Sequence, residues 1–125
     1  MREGELGRLV VDAALKVHTA LGPGLLESAY EACLAHELDK RGARVLRQHP
    51  MPISYDGIRL DVGYRVDLLL NDLVAVELKS VEKMMPIHSA QLLSYLKLGG
   101  WRLGFLLNFN VAHMKDGIKR LVNTQ

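Results

Sequence analysis

The sequence predicts an α/β protein with a mixed central sheet flanked by helices. Two amphipathic helical patterns come first, several short Val- and Leu-rich runs follow, and another helical pattern lies between the last two strong runs. A helix between two strands favours a parallel return of the chain, whereas short turns favour antiparallel neighbours. The sheet is therefore expected to contain both kinds of pairing.

Two helices are predicted before the first strand. Residues 5–20 repeat apolar side chains at helical spacing and end at the stop signal Gly22-Pro23-Gly24. A second helix is predicted from about residue 25 to residue 41, because Gly42 is a natural cap beyond its end.

The middle of the chain is typical of strands joined by turns. Residues 44–48 form a first strand, which nearby prolines confine to an edge or a bend. Asp56-Gly57 indicates a tight hairpin between two short runs. Residues 64–70 and 73–79 are the better strands, because they are rich in Val and Leu.

The last part of the chain completes the order α-α-β-β-β-α-β. A third helix is expected to start near Pro86, a good first-turn residue, and to stop at Gly99-Gly100. Residues 101–109 alternate large apolar side chains and indicate a final buried strand, while residues 118–122 are ambiguous.

Composition limits the classes of function. The 125 residues fit one domain, 1–125, and the single cysteine excludes a disulfide framework and any cysteine-based zinc site. The start of the chain does not resemble a signal peptide, and no apolar run is long enough to cross a bilayer. We therefore expect a soluble, cytoplasmic protein with no membrane partner. The net charge of +2 neither requires nor excludes nucleic acid.

Polar residues on the two better strands are the most informative set. Glu77 and Lys79 are two residues apart, so both point to one face of the sheet. A two-residue loop would pair Asp67 with Val76 and place Glu77 on the other face, whereas a three-residue loop pairs Asp67 with Glu77. We predict the three-residue loop, which also pairs Arg65 with Lys79.

Two carboxylates that face each other need compensation. At a separation of about 4 Å they repel by roughly 4 kcal/mol at an effective dielectric constant near 20. Lys79, a raised pKa or a bound cation can offset that repulsion. Because oxygen atoms are the ligands on offer, the expected cation is Mg²⁺ or Mn²⁺ and not zinc.

The helices carry polar residues where a core face is expected. On the second helix Glu27 and Glu37 fall on the apolar stripe. Glu37 is expected to reach solvent, while Glu27 fits either a first-turn carboxylate that complements the helix dipole or a site residue. On the third helix His88, Gln91 and Tyr95 share one face. We expect that face to line a cleft, and the alternative is a solvated surface.

Several segments resemble a known family. Asp67, followed ten residues later by Glu77-Leu78-Lys79, resembles the Asp…(Asp/Glu)-x-Lys motif of the PD-(D/E)XK nuclease superfamily. Residues 24–30, Gly-Leu-Leu-Glu-Ser-Ala-Tyr, resemble the signature of the GxxExxY family within that superfamily. Residues 17–24, 91–96 and 108–110 are also similar to recurring segments of that family, so the resemblance covers about residues 6–123.

The resemblance implies a restriction-endonuclease-like αβββαβ core and a set of metal ligands. By similarity Asp67 and Glu77 bind the metal, with the Leu78 backbone carbonyl as a third ligand and Glu27 as an additional acid. Lys79 is the implied catalytic lysine. The sequence departs from the usual pattern in having Val, not Pro, before Asp67.

The resemblance also implies a substrate. Gln91 and Tyr95 match a Gln-x-x-x-Tyr pattern of exonuclease-like members, and Tyr30 and His88 are further candidates for substrate contact. The expected function is Mg²⁺- or Mn²⁺-dependent hydrolysis of phosphodiester bonds in nucleic acid, in DNA rather than RNA. The alternative is a binding or regulatory module that keeps the nuclease fold without cleavage. A homodimer stays open under either reading.

Overall fold

The computed structural model describes residues 1–124, and a five-stranded mixed sheet forms its centre. The α-helices are α1 (Glu3–Leu21), α2 (Glu27–Lys40) and α3 (Pro86–Gly99), and a 3₁₀ turn spans Met114–Gly117. The strands are β1 (Val45–Pro50), β2 (Ile53–Tyr55), β3 (Ile58–Leu60), β4 (Arg65–Leu70), β5 (Val74–Lys79), β6 (Leu103–Asn108) and β7 (Ile118–Val122).

The sheet has the strand order β1-β4-β5-β6-β7. Strands β5 and β6 are parallel because α3 connects them, and the other neighbours are antiparallel. The predicted mixed sheet is confirmed, and β1 is an edge strand as its flanking prolines suggested. The ambiguous residues 118–122 form the other edge, while β2 and β3 make a separate hairpin.

The helices cover opposite faces of the sheet. Helices α1 and α2 pack with one set of alternating residues of β4 and β5, among them Leu70, Val74 and Val76. Helix α3 packs against the opposite face, where Leu69 and Ala75 are buried with it. Because side chains alternate along a strand, Glu77, two residues after Ala75 on β5, lies on the α3 side.

The chain that leaves β5 is fixed by one buried asparagine. Asn108 Oδ1 accepts hydrogen bonds from the backbone N–H groups of Val81 and Asn110, both at 3.1 Å. Its Nδ2 donates to the Val81 carbonyl at 2.9 Å. A polar residue in an otherwise apolar strand thus holds the turn that follows Lys79. Both the oxygen and the nitrogen of its side chain form hydrogen bonds there.

A membrane-spanning helix is not found among residues 1–124, since none of their helices is both long and apolar enough.

Candidate active site

Strands β4 and β5 separate where the predicted acidic pair begins. Their paired register runs from Leu70↔Val74 to Leu68↔Val76 and stops there. The connecting loop has three residues, so the predicted odd-length loop is confirmed. One step further along this register, Asp67 lies opposite Glu77. Arg65 does not pair with Lys79, because the pairing of β4 with β5 ends at Leu68↔Val76.

Side chains take over the hydrogen bonding where the strands separate. The backbone N–H of Asp67 donates to Glu77 Oε1 at 2.9 Å. The backbone N–H of Leu78 donates to Asp67 Oδ2 at 2.8 Å. Each carboxylate is therefore held by the strand that carries the other one, which fixes both side chains without a direct backbone ladder.

Glu77 is buried without a full counter-charge. Its side chain is almost inaccessible to solvent, and burial raises its pKa to about 8, with the negative charge of Asp67 as the next cause. The Asp67 N–H bond and the positive charge of Lys79 act in the opposite direction but do not cancel these effects. In the absence of a cation, the pair is expected to hold a proton at neutral pH.

Lys79 and Leu78 follow Glu77 at the end of β5. Lys79 is half-buried at the end of β5, on the same face as Glu77, and is close enough for its charge to lower the pKa of Glu77. The Lys79 carbonyl accepts a hydrogen bond from the Phe109 N–H, on the β6 side. The N–H of Leu78 points the other way, toward Asp67.

Gln48 on β1 is a contact of Asp67 that sequence patterns did not indicate. Its neighbours Arg47 and His49 pair with β4 residues on either side of Asp67, so Gln48 lies opposite Asp67. It has a left-handed backbone with φ of 51°, which is unfavourable for a residue with a side chain. Gln48 Nε2 donates to Asp67 Oδ1 at 3.1 Å and to Glu31 Oε1 at 2.5 Å.

Glu31 on α2 is the second residue that was missed. It is 7% exposed, and Arg47 donates to its Oε2 from Nε at 3.0 Å and from Nη2 at 2.9 Å. A helical wheel places Glu31 about 20° from Leu38 on the apolar stripe, so a signal was present in the sequence. Through Gln48, this paired carboxylate is connected to Asp67.

Glu27 does not join the acidic pair. It is the first residue of α2 and is exposed, so its expected position on the buried stripe is wrong. Within residues 1–124 no three or more His, Cys, Asp and Glu side chains are grouped so that they could hold a metal ion. Any metal site here has to be completed by backbone oxygen, water or substrate.

The polar face of α3 lines a cleft, as the sequence suggested. His88, Gln91 and Tyr95 all border it, facing Tyr64 from the segment before β4. Tyr95 is buried, and this burial, with the charge of Glu77 next, raises its pKa above the ordinary value. A side-chain hydrogen bond to Gln91 has the opposite effect. Tyr95 therefore keeps its hydroxyl proton near the acidic pair.

Tyr30 has a structural position that argues against the predicted substrate contact. Its side chain is fully buried and stacks on Phe109 with ring centroids 4.5 Å apart. Its hydroxyl donates to the Gly22 carbonyl at 2.5 Å and accepts from the Leu25 N–H at 3.1 Å. Tyr30 thus fastens the loop between α1 and α2, and it offers no free polar atom to a ligand.

Comparison with known proteins agrees with this geometry. A family model described as the PD-(D/E)XK nuclease superfamily matches residues 4–121. Neither a search of curated proteins nor a search of solved structures found a match. The family match spans the sheet, the three helices and every candidate site residue described above, so the chain belongs to the PD-(D/E)XK nuclease superfamily.

Proposed function

We propose that this protein is a divalent-metal-dependent nuclease that hydrolyses phosphodiester bonds in nucleic acid, and in DNA rather than RNA. The observation that supports this most is the pair of carboxylates, Asp67 and Glu77, held face to face where β4 and β5 separate, with Lys79 two residues further on. The signature at residues 24–30 supports assignment to the GxxExxY family within the superfamily.

The donor set fits a hard cation. Asp67 and Glu77 offer carboxylate oxygens, the kind of ligand that Mg²⁺ and Mn²⁺ prefer. The Leu78 N–H points to Asp67, and in an extended strand the N–H and carbonyl of one residue point to the same side. The Leu78 carbonyl is therefore on the β4 side with the carboxylates and is our proposed third ligand.

The metal would supply charge, and the protein would supply position. PD-(D/E)XK nucleases usually use divalent ions, and a bound Mg²⁺ or Mn²⁺ polarises a phosphate and lowers the pKa of a coordinated water. Asp67 and Glu77 are held in place by backbone N–H groups from the opposite strand. The Lys79 ammonium orients the attacking water or neutralises charge that develops on the phosphate. His88, Gln91 and Tyr95 contact the substrate from α3.

A cleavage assay tests this function. Purified protein is incubated with end-labelled single- and double-stranded DNA and RNA in Mg²⁺, in Mn²⁺ and in EDTA. We expect cleavage that needs the metal and that disappears in a Glu77→Ala/Lys79→Ala double variant purified in parallel. Equal cleavage by the wild type and the double variant, or no cleavage of any of the four substrates, would remove the proposal.

One observation favours a second candidate, a nucleic-acid-binding module that does not cleave. No third acidic or histidine side chain completes a cluster with Asp67 and Glu77 among residues 1–124. Calorimetric titration of Mn²⁺ into the wild type and Asp67→Asn separates the two candidates. A nuclease loses Mn²⁺ binding in the variant, whereas unchanged binding, or no binding in either protein, favours the module.

A further inference from the structure

A cleft of about 560 Å³ lies beside α3. Helix α3 forms one wall, and Ile53 of β2 and Tyr64 form the opposite wall. Its volume is in the range of pockets that hold small organic ligands. The α3 residues that border it include His88, Gln91, Ser94 and Tyr95.

The lining favours a flat, uncharged ligand. Among the described residues, no Lys, Arg, Asp or Glu borders this cleft, so a phosphate would find no counter-charge inside it. The rings of Tyr64 and Tyr95 have centroids 6.3 Å apart and are tilted by 55°, so they present two aromatic surfaces to the same space. Aromatic side chains bind the faces of other aromatic rings.

Polar groups on α3 can read the edge of such a ligand. Gln91 has an amide that both donates and accepts. His88 Nδ1 accepts from the Met85 N–H at 3.1 Å, so its Nε2 carries the proton of the neutral ring and can donate. A cleft with aromatic faces and a few amide-like groups matches a nucleobase better than an aliphatic side chain or a lipid.

Tyr95 connects the cleft to the sheet, because it is buried in one cluster with Val66, the residue that precedes Asp67 on β4. Tyr95 borders the cleft, and it is near enough to Glu77 and Asp67 for both charges to raise its pKa. A ligand that contacts Tyr95 therefore lies near β4, the strand that carries Asp67. In a polynucleotide, the phosphate that follows a base is attached through one sugar, so a base held here brings a backbone phosphate to that region.

We propose that this cleft binds an unpaired nucleobase, so that the substrate is single-stranded nucleic acid. The inference rests on the proposed nuclease function. A base inside a duplex has its faces covered by stacking and its Watson–Crick edge paired, so only an unpaired base can enter a cleft of this kind. Aromatic side chains bind unpaired bases in this sequence-tolerant way in many single-strand-binding proteins.

A binding experiment in EDTA tests the proposal without requiring cleavage. Fluorescence anisotropy is measured with three labelled DNAs: a single strand, the blunt duplex of the same sequence, and a single strand in which several nucleotides are abasic. The abasic strand keeps the phosphates and removes the bases. We expect the intact single strand to bind about 10-fold more tightly than the abasic strand, as base–aromatic stacking predicts, and more tightly than the duplex.

Three variants connect that difference to the cleft. Tyr64→Ala removes one aromatic wall and is expected to abolish the preference for the intact strand, whereas Tyr64→Phe keeps the ring and the preference. Tyr55→Ala is the matched control, because Tyr55 is a more exposed tyrosine at the end of β2 and does not border the cleft. A Tyr64→Phe protein that behaves as wild type shows that the ring of Tyr64, and not its hydroxyl, gives the preference, and the thermal melt of Tyr64→Ala checks that this variant is folded.

Several outcomes would overturn the inference. Equal binding of intact and abasic strands, binding of the duplex as tight as that of the single strand, or an unchanged preference in Tyr64→Ala would each do so. A Tyr64→Ala change in sedimentation with no change in DNA binding would assign the cleft to self-association instead. Base-dependent binding without cleavage would support the base-binding cleft and remove the nuclease proposal. Equal cleavage of intact and abasic strands would support the nuclease proposal and remove the base-binding cleft.

Discussion

Two buried glutamates in this protein have opposite electrostatic surroundings. Glu37 on α2 is 8% exposed and Glu77 on β5 is 6% exposed. Glu37 accepts a hydrogen bond from Lys16 Nζ at 2.8 Å, and Arg41 and Lys40 lie at 3.6 and 3.8 Å. The hydrogen bond from Lys16 is the main reason that the pKa of Glu37 lies below its ordinary value.

Burial alone does not decide whether the pKa of a glutamate is raised or lowered. Glu37 is surrounded by cations of the chain itself, so its charge is already compensated. Glu77 has another carboxylate, Asp67, as its nearest charged partner, and its pKa is raised to about 8. A buried acid with its own cations is compensated within the fold, whereas a buried acid beside another acid needs a proton or a cation from outside. The expectation that Glu37 reaches solvent was wrong for the same reason, because its ion pairs make burial tolerable.

The largest difference between the two regions is expected in activity. Lys79→Ala removes the ammonium beside the acidic pair, and we expect cleavage to fall by about 10²- to 10³-fold, as for the loss of one group that stabilises transition-state charge. Lys16→Ala is the matched control, because it removes a lysine beside the other buried glutamate. Rates of cleavage under single-turnover conditions check both. Equal cleavage rates of Lys79→Ala and Lys16→Ala would contradict the expectation that only Lys79 takes part in cleavage.

The free energy of unfolding should change in opposite directions when Glu77 and Glu37 are each replaced by glutamine. The pKa of Glu77 rises from 4.5 to about 8 on folding, so the native state keeps a proton that the unfolded state loses. The contribution of Glu77 to stability is then full below pH 4.5 and is lost as the pH rises to about 8. In EDTA at pH 7 we expect Glu77→Gln to stabilise the fold by about 2–3 kcal/mol and Glu37→Gln to destabilise it.

Urea unfolding in EDTA between pH 5 and pH 8.5 measures this prediction. The wild type and Glu37→Gln should lose stability with rising pH over this window, while the curve of Glu77→Gln should be flatter. A Glu77→Gln protein less stable than the wild type at pH 7 would mean that Glu77 is charged and compensated in the metal-free fold.

A smaller effect is expected from the residue that connects Asp67 to α2. Gln48→Gly removes the bridge to Glu31 and suits the left-handed backbone at this position, where φ is 51°. Loss of an outer hydrogen-bond partner of a metal ligand typically costs 10- to 100-fold in metal affinity or activity. We expect Mn²⁺ affinity and cleavage rate each to fall about 10-fold, with little change in the free energy of unfolding. Mn²⁺ titration, cleavage assays and urea unfolding measure the three quantities. A fully active Gln48→Gly protein would show that Asp67 needs no such support.

The smallest difference concerns two tyrosine hydroxyls. Tyr30→Phe removes hydrogen bonds to Gly22 and Leu25 in the core, so we expect a loss of about 1–2 kcal/mol of stability and normal cleavage by the folded protein. Tyr95→Phe should leave stability nearly unchanged and slow cleavage several-fold. Thermal melts and cleavage rates of the two variants check that the Tyr30 hydroxyl serves stability and the Tyr95 hydroxyl serves cleavage. A cleavage defect in Tyr30→Phe with normal stability would contradict this assignment.

Sequence patterns predicted the parts of this site that depend on local periodicity. The alternation of side chains in β4 and β5, together with an odd loop length, was enough to place Asp67 opposite Glu77. The shared face of His88, Gln91 and Tyr95 followed from helical spacing in the same way. These positions depend on geometry that repeats within one element or across one turn.

The parts that sequence patterns missed depend on contacts between distant elements. Gln48 contacts Asp67 from a neighbouring edge strand, at a residue with a left-handed backbone, and no periodicity predicts that contact. Glu31 lies at the edge of the apolar stripe of α2 and is buried because Arg47 of β1 pairs with it. Glu27 was misplaced because it is the first residue of α2, where a helical wheel does not describe the surroundings.

The central claim is that Asp67 and Glu77 form a cation site while Glu37 does not. Calorimetric titration of Mn²⁺ at pH 7 into the wild type, Glu77→Gln and Glu37→Gln tests it most directly. We expect one Mn²⁺ per chain with equal affinity in the wild type and Glu37→Gln, accompanied by proton release that differs between buffers, because Glu77 must lose its proton. In Glu77→Gln binding should be at least about 10-fold weaker. Wild-type affinity in Glu77→Gln, or weakened binding in Glu37→Gln alone, would contradict the claim.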